Sequence, residues 1–176
     1  MTGRWLFGFV AAWVLAAGGA EDLQVATMAR EGRVRVSCVL AEGLTSDMEQ
    51  ALQSGLTTVF TYEVDLRRAV SIWFDRTLAS STVTVSAQFD TLTGRYQVTR
   101  SVDGRVEESR VSDSQAEAEK FMTAFDRLPL FNTADLEPNV EYLVRVRLRT
   151  RPRTTWFLWP FSRGEASGFA RFTFIP

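Results

Sequence analysis

The chain of 176 residues contains no histidine and a single cysteine, Cys38. Without histidine, the commonest general base and the commonest metal ligand are both missing. Ser-His-Asp and Cys-His nucleophilic machinery is excluded, and so is a histidine-built zinc site, which one cysteine cannot replace. A lone cysteine closes no intramolecular disulfide, so stability has to come from packing. Lysine is nearly absent: Lys120 is the only one, and every other basic residue is arginine. An excess of one charge is lacking too. Lys+Arg total 20 against 21 Asp+Glu, so net charge names no strongly charged partner. No Gly-rich phosphate loop, calcium-loop pattern, internal repeat or low-complexity tract occurs.

A membrane-length apolar run is also missing. The longest, Trp5 to Ala17, has about 13 residues where a spanning helix needs roughly 20. It follows Arg4 and precedes Gly18-Gly19-Ala20 and the acidic pair Glu21-Asp22. A basic start, a short apolar core and small residues at a junction form the pattern of a secretory signal peptide. The expectation is a signal peptide over residues 1–20, cleaved after Ala20, and an exported protein of the periplasm or cell envelope. Retention of the segment as an N-terminal anchor is the alternative. No cysteine at the junction supports a lipid anchor.

Most of what remains reads at period two. Val34, Val36, Cys38 and Leu40 alternate with polar residues, as do Phe60, Tyr62, Val64 and Leu66. Val83, Val85, Ala87 and Phe89 repeat the pattern, and so do Tyr142, Val144, Val146 and Leu148. Successive strand side chains point to opposite faces, so these are half-buried strands. Further strands are expected over Leu23 to Ala29, Arg95 to Ser101, Arg105 to Val111 and Phe169 to Ile175. Glu31-Gly32 and Asp103-Gly104 are hairpin signals. Two helices are expected where a serine and a glutamate stand at capping-box spacing, Ser46 with Glu49 and Ser114 with Glu117. The second places Ala118, Phe121, Met122 and Phe125 on one face, with Leu128 extending the stripe and Pro129 ending it. The expected fold is mainly β: an antiparallel β-sandwich-like domain over residues 21–176, with two short α-helices, after the signal peptide.

An ordered set of segments resembles a known family. Asp47 to Leu56 leads into the strand Phe60-Thr61-Tyr62-Glu63-Val64. Trp73-Phe74-Asp75 follows, then the hairpin Phe89 to Val98, the late strand Tyr142 to Arg149, and the ending Phe172-Thr173-Phe174. This set resembles the bacterial exported family catalogued as domain of unknown function 4390. The resemblance implies a signal-bearing, envelope-facing protein with no assigned activity, and it hints at a signalling partner. It carries over no catalytic residue.

Two constellations are candidate contact surfaces. Arg145, Arg147, Arg149 and Arg151 fall on one face of a strand, with Arg153 beyond them. Guanidinium groups in a row bind phosphate, lipid headgroups or acidic partners, or else pair with neighbouring acids such as Glu63 and Asp65. Next comes Trp156-Phe157-Leu158-Trp159-Pro160-Phe161. Four aromatics beside arginines form a docking patch or interfacial wedge, or a loop folded back over the core. The remaining candidates read as structure: Cys38 as a buried hydrophobe, Lys120 on a solvated helix face, Trp73 in the core, and Glu63 with Asp65 as a shared face rather than a catalytic pair. The expected function is a non-enzymatic binding or protein-interaction module whose surface comprises Arg145, Arg147, Arg149, Arg151, Trp156, Phe157, Trp159 and Phe161. Its expected partner is an envelope protein or a membrane surface, with no nucleic acid, metal or cofactor. A carrier holding an apolar ligand between its sheets, lidded by Phe121, Met122 and Phe125, is one alternative. An enzyme of unfamiliar type is another.

Overall fold

The computed structural model describes residues 22–69, 76–152 and 165–176, with the backbone alone at 150–152 and 165. The elements run β1 (Leu23–Arg30), β2 (Arg33–Leu40), α1 (Ser46–Gln53), β3 (Thr58–Arg68), β4 (Arg76–Asp90), β5 (Arg95–Val102), β6 (Arg105–Ser112), α2 (Gln115–Thr123), β7 (Ala124–Asn132), β8 (Glu141–Pro152) and β9 (Glu165–Thr173). They form a three-stranded sheet, β1-β2-β7, and a six-stranded sheet, β6-β5-β4-β3-β8-β9. Every strand pair is antiparallel. The mainly β expectation, with two antiparallel sheets and two helices, is met.

The turns follow from local chemistry. Glu31-Gly32 and Asp103-Gly104 each hold two successive positive φ angles, 54° with 73° and 49° with 81°. Two such residues match the twist of a tight hairpin, which fixes the β1–β2 and β5–β6 registers. The core lies between the sheets. Phe60, Tyr62, Val64 and Leu66 of β3, Val83 and Val85 of β4, and Val144, Val146 and Leu148 of β8 face Val34, Val36 and Cys38 of β2. The Tyr62 ring meets Phe125 edge to face at 5.3 Å. At one side the sheets come together so closely that a Cβ on Gly168 would stand 2.1 Å from the Leu23 carbonyl oxygen.

Three local expectations are corrected. α2 ends at Thr123, and the chain continues directly into β7, so Phe125 and Leu128 lie on a strand rather than a helix face. Two register shifts and a positive φ of 47° at Arg127 give β7 an irregular spacing, and a 3–4 residue repeat resembles it. Pro129 does not end a helix. It sits opposite Arg35 on an edge strand, where its missing N–H is tolerated. α1 forms where expected, but its N-cap is Thr45 and no side chain caps it. At α2, Ser114 Oγ does accept from the Glu117 amide, but the Glu117 carboxylate accepts from Ser112 instead of closing the box.

Candidate functional site

Alternation along β8 buries Tyr142, Val144, Val146 and Leu148 and sends Arg145, Arg147 and Arg149 to the outer face of the six-stranded sheet. Register then selects their neighbours. On β3, Glu63 stands opposite Arg147 and Asp65 opposite Arg145. On β9, Phe169 stands opposite Arg145 and Arg171 opposite Leu143. Arg147 lies 3.1 Å from Asp65 and 3.5 Å from Glu63, and Arg149 lies 3.1 Å from Glu63. Asp65 is buried, and it also accepts from Ser80 at 2.8 Å and from Arg67 at 3.5 Å. The pairing of the arginine row with Glu63 and Asp65 is therefore present at Arg147 and Arg149.

The pairing is incomplete. Among the described residues, Arg145 makes no ion pair, although it is half-buried beside Asp65. Its neighbour Phe169 is 46% exposed, and the Arg171 guanidinium lies 5.9 Å from that ring. Glu141 is 3.8 Å from Arg171. The β3-β8-β9 half of this face thus carries Arg67, Arg145, Arg147, Arg149 and Arg171 against Glu63, Asp65 and Glu141, with Glu165 opposite Arg149 by register. The β4-β5 half instead presents the hydroxyls of Thr82, Thr84, Ser86, Thr99 and Ser101. Of the other expected surface residues, Arg151 has only its backbone described, opposite Val59. Arg153, Trp156, Phe157, Trp159 and Phe161 lie outside the described residues, in the connection from β8 to β9. Trp73, Phe74, Asp75 and residues 1–20 lie outside them as well.

A second polar cluster was not anticipated. Arg100 sits at an inward position of β5, in line with Tyr96 and Val98, and is 9% exposed. It donates to the carbonyls of Phe121 at 3.1 Å and Ala124 at 3.0 Å, pairs with Glu108 at 2.9 Å, and stacks 4.2 Å from the Phe121 ring centroid. The Tyr62 hydroxyl donates to the Met122 carbonyl at 2.6 Å. The last carbonyls of a helix lack intrahelical donors and carry partial negative charge, so one guanidinium and one phenol fasten the end of α2 to the six-stranded sheet. Burial lowers the proton affinity of Arg100, and Glu108 opposes that effect. The signal in the sequence was an arginine on the apolar stripe of β5, with Glu108 directly opposite on β6.

Phe121, Met122 and Phe125 are buried in the main core cluster, so they fill the space under α2. An open groove of about 370 Å³ lies elsewhere, between the end of α1 and the β4–β5 turn, lined by Gly55, Phe89, Asp90 and Leu92 among others. Burial pushes the Cys38 thiol up to about 12. Among the described residues, no group of three or more Cys, Asp and Glu is placed to hold a metal ion, and no helix is long and apolar enough to cross a membrane.

The family described as Domain of unknown function (DUF4390) matches residues 19–155. No curated protein and no solved structure matches the chain.

Proposed function

The chain belongs to the DUF4390 family, and we propose that it is an exported, non-enzymatic interaction module of the cell envelope that docks an acidic protein surface on its β3-β8-β9 face. One observation carries this reading: of the row's described side chains, Arg145, Arg147 and Arg149, Arg145 has no acid of its own, and the exposed Phe169 stands opposite it with Arg171 further along β9. Guanidiniums held on a rigid sheet need little further ordering to accept a carboxylate bidentately. An aromatic ring at the centre of such a patch contributes contact area at low entropic cost. Glu63 and Asp65 set negative points among the positive ones. A mosaic of both signs suits the fixed charge pattern of a protein better than an anionic lipid surface, which responds to summed positive charge. The segment Trp156 to Phe161 follows the arginine strand in sequence and lies outside the described residues. The signal-peptide pattern of residues 1–20 supports export.

The double variant Arg145→Glu/Arg171→Glu tests this. It is expected to stay folded with a lower unfolding midpoint, because a carboxylate at 145 stands opposite Asp65, and to lose capture of its envelope protein partner by at least tenfold. Binding of the wild-type chain to anionic vesicles, with no protein partner captured, would contradict it.

A further inference from the structure

Among the described residues, the two sheets have four edges: β1 and β7 in one, β6 and β9 in the other. An edge strand offers unpaired N–H and C=O groups and joins other chains unless it is guarded. β1 and β9 cover each other where Gly168 meets Leu23. β7 is guarded by Pro129 and two register shifts. Among the described residues, β6 is guarded at one end only. Its ladder with β5 shifts between Arg100 and Ser101, which leaves Glu107 as an extra residue. From Glu108 to Ser112 the strand runs regularly. It is exposed along most of its length, with Val106 65% and Val111 60% exposed.

The charges of this strand complement their own reversed order. Glu108 and Arg110 point to one face of the sheet, and Ser109 between them points to the other. A two-fold axis normal to the sheet keeps faces matched and opposes residues equidistant from it. With Ser109 on the axis, Glu108 of each copy faces Arg110 of the other. Moving the axis one residue either way sets Glu108 against Glu108 or Arg110 against Arg110, which cross-strand repulsion disfavours.

We propose that β6 is a dimerisation edge at which a second copy of this chain adds its own β6 antiparallel, with Ser109 on the two-fold axis. The two six-stranded sheets then form one continuous sheet. Because the axis is normal to that sheet, both arginine faces lie on the same side. A single pair of edge strands buries less than a standard interface, so the dimer is reversible, with a dissociation constant of order micromolar.

Sedimentation of the purified chain tests this, together with two variants. The wild-type chain is expected to associate with rising concentration. Arg110→Glu, at an exposed position, also removes the chain's own Arg110–Glu108 pair, and it is expected to weaken association about tenfold or more in a chain that stays folded. Ser109→Cys is expected to give a disulfide-linked dimer on mild oxidation, because facing residues at the axis bring their β-carbons within bonding range. Ser167→Cys, exposed on β9, is expected to stay unlinked, and buried Cys38 does not compete. A wild-type chain that is monomeric at about 100 μM would overturn the proposal. So would a dimer that Arg110→Glu leaves unchanged, or linkage at Ser109→Cys no faster than at Ser167→Cys.

Discussion

Arg100 ties α2 and the start of β7 to the six-stranded sheet through one side chain. Its charge is shared among two helix-end carbonyls, Glu108 and the Phe121 ring. Arg100→Met keeps the volume but takes the guanidinium from those acceptors and leaves Glu108 with Arg110 as its ion-pair partner. Breaking a buried pair costs about 3–5 kcal/mol. Glu108 retains 26% of its exposure, so about 2–3 kcal/mol is expected here, read as a lower urea midpoint. Adding Glu108→Gln should recover part of that loss. Cys38 and Tyr62 make a second prediction at this scale. Burial raises the Cys38 thiol from about 9.0 to about 12, and burial, the largest cause, also raises the Tyr62 phenol. A raised acid holds its proton longer folded than unfolded, so its stabilisation is complete below pH 9 and is lost as pH climbs towards 12. Unfolding free energy should fall by about 1 kcal/mol between pH 8 and pH 10, and Cys38→Ala should flatten the part of the slope that begins near pH 9.

At the scale of elements, the close contact of β1 with β9 makes Gly168 irreplaceable. A methyl group there would overlap the Leu23 carbonyl oxygen, and backbone cannot yield as a flexible side chain does. Gly168→Ala should destabilise by about 2–4 kcal/mol, whereas Gly94→Ala meets no atom within 4 Å and strains only a turn, for about 1 kcal/mol. Thermal midpoints of the two variants compare them directly. The strands were legible because a two-residue period is unambiguous in Val34 to Leu40 or Tyr142 to Leu148. β7 was not, because the bulge at Arg127 and the proline at 129 disguise a strand as the tail of a helix. The cap of α1 slipped from Ser46 to Thr45 for a smaller reason: neighbouring hydroxyl residues satisfy the same rule, and only the backbone angles choose between them.

For the whole molecule, the order of strands in the larger sheet decides what the arginine row can do. The sequence pattern placed Arg145, Arg147 and Arg149 on one face and named Glu63 and Asp65 as neighbours, and the β3–β8 register joins them. Two features were beyond a period-two reading. That Arg145 is left over depends on which carboxylate each guanidinium reaches, a matter of ångströms. That Phe169 and Arg171 flank it depends on β9 pairing with β8, a long-range contact. The inward turn of Arg100 likewise needed β5 to be seen against α2.

The most direct measurement places a photo-crosslinking amino acid at Phe169 in the full chain, expressed in cells, and identifies the products by mass spectrometry. The docking proposal predicts one recurrent envelope protein with an acidic surface, crosslinked from Phe169 and lost when Arg145→Glu is added to a chain that still folds. Crosslinks to lipid alone, or a protein product unchanged by Arg145→Glu, would contradict it.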